Sequence, residues 1–126
     1  MGPSGKAIAI EASPTIFKKL IANLQRNRVT NVEPYNLAAS ETEGTTKIFL
    51  ASMSNEGETT ILPTEDHWRY ECDVPTKPLS TLISAGEMAK VRLIKIDVEG
   101  AEWFVVSGMR ALLAHARQDL EASDYP

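Results

Sequence analysis

A single cysteine, Cys72, and no Asn-x-Ser/Thr triplet occur in the 126 residues. No internal disulfide can form, and nothing in the sequence points to secretion. His67 and His115 are the two histidines, and neither has a second His or Cys at ligand spacing, which argues against metal chemistry of the zinc type. The longest run without Asp, Glu, Lys or Arg is nine residues, Pro78–Gly86. A bilayer span needs roughly 18 or more, so none is expected. The opening Met-Gly-Pro-Ser-Gly-Lys has neither the basic start nor the apolar run of a secretory signal, and the cytoplasm is the expected compartment. A basic excess is missing too. With 13 Lys+Arg against 17 Asp+Glu the net charge is −4, so the positive field that displaces counterions from phosphates is absent and nucleic acid is not expected as a partner.

What is present is enough apolar material for a core. The hydrophobic fraction is 43% and the net charge is small, which separates the chain from those that stay unfolded for want of apolar surface to bury. The length suits one small domain at most.

Lys6-Ala-Ile-Ala-Ile-Glu11 reads as a short strand buried on both faces. Ser13 can cap the following helix and Pro14 can occupy its first turn, where a missing N–H costs nothing. The helix is expected over about Pro14 to Asn27, because Ile16, Phe17, Leu20, Ile21 and Leu24 form one stripe. Val32 to Ala39 and Thr45 to Leu50 read as extended, separated by the Glu41-Thr-Glu-Gly44 turn signal. Ala51 to Lys77, rich in Ser, Thr, Glu and Pro, reads as a long loop with room for one short strand. Leu79 to Ile83 suits one helical turn. Val91 to Asp97 is the strongest strand pattern in the chain. A helix from about Ala101 to Ala116 carries Val105, Met109, Leu112 and Leu113 inward, and residues 114–126 lose the period and are expected to fray. Strands alternating with helices predict an α/β domain with a largely parallel sheet.

In such sheets ligands bind outside the carboxyl ends of the strands, and that rule selects the candidates. They are Glu11 with Ala12, Asn36 to Ala38, and the group Asp97, Glu99 and Glu102. Glu11 stands where nucleoside sites place a carboxylate to accept from ribose hydroxyls, though a solvated acid favoured by the helix dipole suits the same place. Period-two geometry puts Lys95, Asp97 and Glu99 on one side of their strand, with Ile96 and Val98 on the other. Three charges on one face suit a cleft, where a carboxylate acts as a base, orients a substrate or holds a hard cation. The bland alternative is a Lys95–Asp97 pair with Glu99 and Glu102 decorating a helix start. Cys72 has no basic neighbour in sequence to activate it. Trp68, Tyr70 and Trp103 suit a pocket wall or plain packing.

The residues Ile94-Lys-Ile-Asp-Val-Glu-Gly-Ala-Glu102, followed by Ser107-Gly108 and Leu112-Leu113, resemble the signature of the FkbM family of S-adenosylmethionine-dependent methyltransferases. Upstream, Gly5 to Glu11, Ser13-Pro14, Asn23-Leu24, Asn36-Leu-Ala38 and Asn55-x-Gly57-x-Thr59-Thr60 are similar to that family in the same order. The resemblance implies a Rossmann-like class I methyltransferase sheet. It implies that Glu11 grips the donor ribose, with Ala12 beside it, and that Asn36 to Ala38 lie near the adenine. Asp97 would face the methyl and the acceptor atom, with Glu99 and Glu102 next to it. The implied reaction is O-methylation of a hydroxyl on a sugar or small natural product. An acid after the second strand also suits NAD, and that alternative stays open at this stage.

One family element is absent. Glycines 2, 5, 44, 57, 86, 100 and 108 never form G-x-G-x-x-G, the turn that lets backbone approach the donor's methionine portion, and Ser80 stands where the family pattern has an acid. Residues 1–126 are therefore expected to be a partial methyltransferase domain, a truncated sheet lacking its first and last strands. Its own activity is then doubtful. A rival expectation is a non-catalytic remnant that associates with itself or a partner through unpaired strand edges.

Overall fold

The computed structural model describes residues 2, 4–51, 59–61, 68–98, 100–110 and 112–113. Its elements in chain order are β1 (Ala7–Ile10), α1 (Pro14–Arg26), β2 (Val32–Tyr35), β3 (Ala38–Ala39), β4 (Gly44–Ala51), β5 (Thr59–Thr60), β6 (Trp68–Lys77), a 3-10 turn (Leu79–Thr81), α2 (Ala85–Met88) and α3 (Glu102–Ser107).

β1 and β2 pair in parallel, Ala7 opposite Val32 through Ile10 opposite Tyr35, and α1 crosses between them. Pro34 occupies β2, a place that proline tolerates on an edge because it has no ladder N–H to give. Ser13 caps α1 as its residue type predicts, accepting from the Ile16 N–H at 3.1 Å, and Pro14 follows in the first turn. The helix ends in a Schellman arrangement. The Arg28 N–H donates to the Gln25 carbonyl and the Val29 N–H to the Leu24 carbonyl, with Arg28 at φ 54° in the left-handed position usually held by glycine.

The second sheet runs β3-β6-β4-β5. β4 and β6 form its antiparallel body from Gly44 opposite Thr76 to Ala51 opposite Trp68, and the short β3 runs parallel to the end of β6. The architecture is mixed α/β, as expected, but the largely parallel sheet is corrected to a parallel pair plus a mixed, mainly antiparallel sheet. The long loop expected over Ala51 to Lys77 is also corrected. Its second half is the ten-residue strand β6, whose Cys72, Val74 and Thr76 turn inward between outward Asp73 and Pro75. Pro75 is tolerated because β3 reaches only Thr76 and Lys77. Val32 to Ala39 is two strands in two sheets, broken at Asn36 and Leu37.

Two cores result. Leu79, Ile83, Met88, Val105, Met109 and Leu112 form one, with Ile8, Ile10, Val91, Ile96, Val98 and Leu113 packed on it; Ala38, Ile48 and Val74 form the other, with Ala12 and Cys72 against it. The inward set expected for the last helix is therefore found, although α3 itself spans only Glu102–Ser107. Residues 114–126, expected to fray, lie outside the described residues, as do His67 and His115.

Val91 to Asp97 is not a strand. Residues 92–97 make no hydrogen bond among the described residues, and Leu93 is 84% exposed. Extended propensity alone cannot make a ladder, because each strand N–H and C=O needs a neighbouring backbone to meet it. The burial pattern still alternates, with Ile96 and Val98 half-buried against the first core and Lys95 and Asp97 exposed.

Candidate functional site

The turn from β1 into α1 gathers the densest polar cluster among the described residues. The Glu11 N–H donates to the Tyr35 carbonyl at 3.0 Å, extending the parallel ladder one step past β1. The Glu11 side chain then turns back, and its Oε1 accepts from the Ser13 N–H at 2.9 Å. Asn36, just past β2, donates through Nδ2 to the Glu11 carbonyl at 2.9 Å and the Ala12 carbonyl at 3.0 Å. Parallel pairing makes this possible, because the carboxyl ends of β1 and β2 finish side by side. Burial pushes the Glu11 carboxyl above its ordinary value, and the nearby Glu71 carboxylate adds to the rise against the lowering by the Ser13 N–H.

Glu71, on β6, completes the cluster from the other sheet. Its Oε2 accepts from the Ser13 hydroxyl at 2.7 Å and its Oε1 from the Thr15 N–H at 2.9 Å. Burial raises the Glu71 carboxyl, but the bonds from Thr15 and Ser13 outweigh it and hold the group below its usual range. Two neighbouring carboxyls are thus pushed in opposite directions, an arrangement that separates an acid able to stay charged from one more easily protonated.

The second group of candidates sits where residues 91–98 lead into α3. Asp97 is exposed and has no hydrogen bond or ion pair among the described residues. The Lys95–Asp97 pair weighed as the bland reading is not formed. Glu102 has another use. Its Oε1 accepts from the Val98 N–H at 3.3 Å and the Gly100 N–H at 3.2 Å, closing the turn in which Gly100 takes φ 97°. Its own N–H and that of Gly100 hold the Glu102 carboxyl below its ordinary value. Glu99 lies outside the described residues.

Of the sequence candidates, Glu11, Ala12 and Asn36 are brought into one bonded cluster. Ala38 is adjacent in chain but buried at 6% in the second core, its backbone held in β3 opposite Thr76. No hydrogen bond or ion pair among the described residues joins this cluster to Asp97 or Glu102. They share a support instead, since Ile10 before Glu11 and Ile96 before Asp97 pack on the same core. Sequence reasoning missed Glu71. Its single signal is a charged residue within an irregular polar stretch, and its partner Ser13 is 58 residues away.

Two hollows among the described residues lie elsewhere. One of about 500 Å³ opens on the β4–β6 face beside Lys47, Phe49 and Asp73, and a smaller one of about 200 Å³ beside Trp103, Ser107 and Arg110. Neither is lined by Glu11, Asn36 or Asp97. Both are open depressions rather than enclosed clefts, and neither meets the strand ends, so the polar cluster on the β1–α1 turn is the better candidate. Tyr70 packs edge to face on Phe49, 6.0 Å between centroids, under the Lys47 ammonium, which accounts for it without a ligand. Burial raises the Cys72 thiol, and its acidic neighbours Glu71 and Asp73 add to this, opposing thiolate chemistry. No group of three metal-binding side chains and no helix long and apolar enough to cross a membrane occurs among the described residues.

Comparison with curated proteins and with solved structures returned no match. The family model described as the methyltransferase FkbM domain matches residues 1–124, nearly the whole chain and both candidate groups within it. The chain belongs to the FkbM methyltransferase family.

Proposed function

We propose that the chain takes part in S-adenosylmethionine-dependent O-methylation of a hydroxyl on a sugar or small natural product, with Glu11 receiving the ribose of the methyl donor. The observation that carries this reading is the placing of Glu11 at the carboxyl end of a parallel strand and one turn before a helix, braced by Ser13 and Asn36. The donor set suits a vicinal diol, because a carboxylate can accept from two hydroxyls at once. S-adenosylmethionine supplies an electrophilic methyl on sulfur. The chain's share is to hold and align. Asp97, exposed and unpaired among the described residues, takes the proton of the acceptor hydroxyl or orients it; Ala12 stays beside Glu11, and Asn36 borders the adenine side with Ala38 supporting it from the second core. Glu102 fixes the turn that follows Asp97, and Glu99, two positions after Asp97 in sequence, is proposed for the same group.

The same reading makes the domain incomplete as it stands, a class I sheet short of a strand next to β1 and residues 92–97, whose outward backbone groups have no partner among the described residues. Titration of the chain with S-adenosylmethionine, followed by amide chemical shifts, tests it. The expected result is binding weaker than micromolar that Glu11→Ala abolishes. Binding that survives Glu11→Ala overturns the ribose assignment, and micromolar binding by the unaltered chain overturns the incomplete sheet.

A second reading rests on the same backbone. Exposed Leu93 and Ile94, on a segment without backbone pairing among the described residues, suit an interaction module that associates by forming a strand edge. Sedimentation separates the readings: concentration-dependent dimers without donor affinity, dispersed by Ile94→Lys, favour association, and a monomer at all concentrations rules it out.

A further inference from the structure

We infer that Glu71 is the positioning residue of the β1–α1 turn: delivered by a bulge in β6, it clamps Ser13 and Thr15 and through Ser13 fixes the carboxylate of Glu11. The part of this inference that concerns the donor rests on the ribose reading above; the clamp itself does not.

The bulge is the first observation. Along β4 and β6 the register runs Ile48 opposite Cys72 and then Phe49 opposite Tyr70, so Glu71 is the extra residue with no partner across the ladder. An extra residue bends the strand and re-aims its side chain, and such bulges are over-represented next to functional sites. Here it swings the carboxylate out of the sheet onto the start of α1.

The second observation is how completely the receiving groups are used. Ser13 is 0% exposed. Its oxygen accepts from the Ile16 N–H at 3.1 Å, so its proton is committed to Glu71 Oε2 at 2.7 Å. Glu71 Oε1 takes the Thr15 N–H at 2.9 Å, one of the first-turn donors that the helix cannot satisfy itself. The Ser13 N–H in turn goes to Glu11. The path from Glu71 to Glu11 is therefore two hydrogen bonds through one buried serine. It joins the two sheets at the point where the candidate ligand contact is made.

The arrangement separates charge from shape. Glu71 is the charged group that acts on Glu11, and Arg69 acts on Glu71 from the same strand. Glu71→Gln keeps an oxygen for Thr15 and removes the charge; Glu71→Ala removes both. Amide exchange and the carboxyl titration of Glu11, both read by NMR without donor, distinguish them. In Glu71→Ala the Thr15 amide should exchange faster by about tenfold or more, the scale of losing one charge-assisted bond. In Glu71→Gln that protection should largely return, while the Glu11 midpoint moves down because the facing negative charge is gone. Ser13→Ala should lower Thr15 protection less than Glu71→Ala does, since it leaves the Thr15–Glu71 bond in place. Unchanged Thr15 exchange in Glu71→Ala, or a Glu11 midpoint indifferent to Glu71→Gln, overturns the clamp. A donor titration on the same samples reads the other part: a clamp that responds as expected in a chain whose Glu11 never meets S-adenosylmethionine sinks the ribose reading and leaves the clamp standing.

Discussion

Gly108 lies so close to Ser40 that a Cβ on residue 108 would come within 2.1 Å of the Ser40 carbonyl oxygen and 3.1 Å of its carbon. The end of α3 thus packs directly on the backbone that leaves β3, and only a residue without a side chain fits. Because the obstructing atoms are backbone, they cannot rotate away. Gly108→Ala is expected to lower stability by about 1–3 kcal/mol, the range for forcing extra atoms into a packed site. Denaturant midpoints of the two proteins check this, and an unchanged midpoint contradicts the contact.

Arg28 offers the opposite opportunity. Its φ of 54° is a left-handed conformation that costs a side-chain-bearing residue about 1–2 kcal/mol relative to glycine. Since the Schellman bonds use backbone atoms only, Arg28→Gly should retain them and raise stability by about 1 kcal/mol or somewhat less, because glycine also loses more entropy on folding. Thermal unfolding followed by far-UV circular dichroism gives the sign.

The two best-placed acids should pull stability in opposite directions with pH. Burial raises the folded-state pKa of Glu11, so its charge is a liability above that value, and the cost is relieved as pH falls through the folded value toward the ordinary carboxylate range. Glu11→Gln is therefore expected to stabilise the chain at pH 7 and to lose that advantage near pH 4. For Glu102 the folded pKa is depressed, so its contribution is present above the ordinary value and disappears as pH falls through the folded one. Glu102→Gln should destabilise at pH 7 and become neutral in acid. Denaturation of each variant at both pH values tests the pair, and the same sign for both at pH 7 contradicts it.

Asp97 has nothing to lose structurally. It is exposed and without a partner among the described residues, so Asp97→Asn should leave the unfolding midpoint within about 0.5 kcal/mol of the parent. On the base role proposed for Asp97, the same change in an active assembly should lower kcat by about 10²–10⁴ with donor affinity retained. Single-turnover methyl transfer beside a donor titration separates the two. A fall in affinity with kcat intact assigns Asp97 to binding instead.

Local chemistry was readable in advance, and non-local pairing was not. Ser13 and Pro14 announce α1 because capping is decided within a few residues, and the spacing of Val105, Met109 and Leu112 announces the inward face of the last helix because helical period is local. In sequence β6 reads as loop because Arg69, Glu71 and Asp73 are charged and Pro75 interrupts it, until a neighbouring strand is known. Residues 91–97 erred the other way. Their composition is that of a buried strand, yet strand formation belongs to a pair of segments, and among the described residues no strand lies hydrogen-bonded beside 92–97. Within the site, Glu11 and Asn36 followed from the strand-end rule, whereas Glu71 depends on a register slip between two distant strands that no single-residue preference encodes.

Pro34 gives the first sheet a direction of growth. With no N–H at the middle of β2, that outer margin is a poor template for anything extended, while the far side of β1 carries no such block. An extended segment that paired with this sheet would therefore meet its free donors along β1, the strand that leads directly into Glu11.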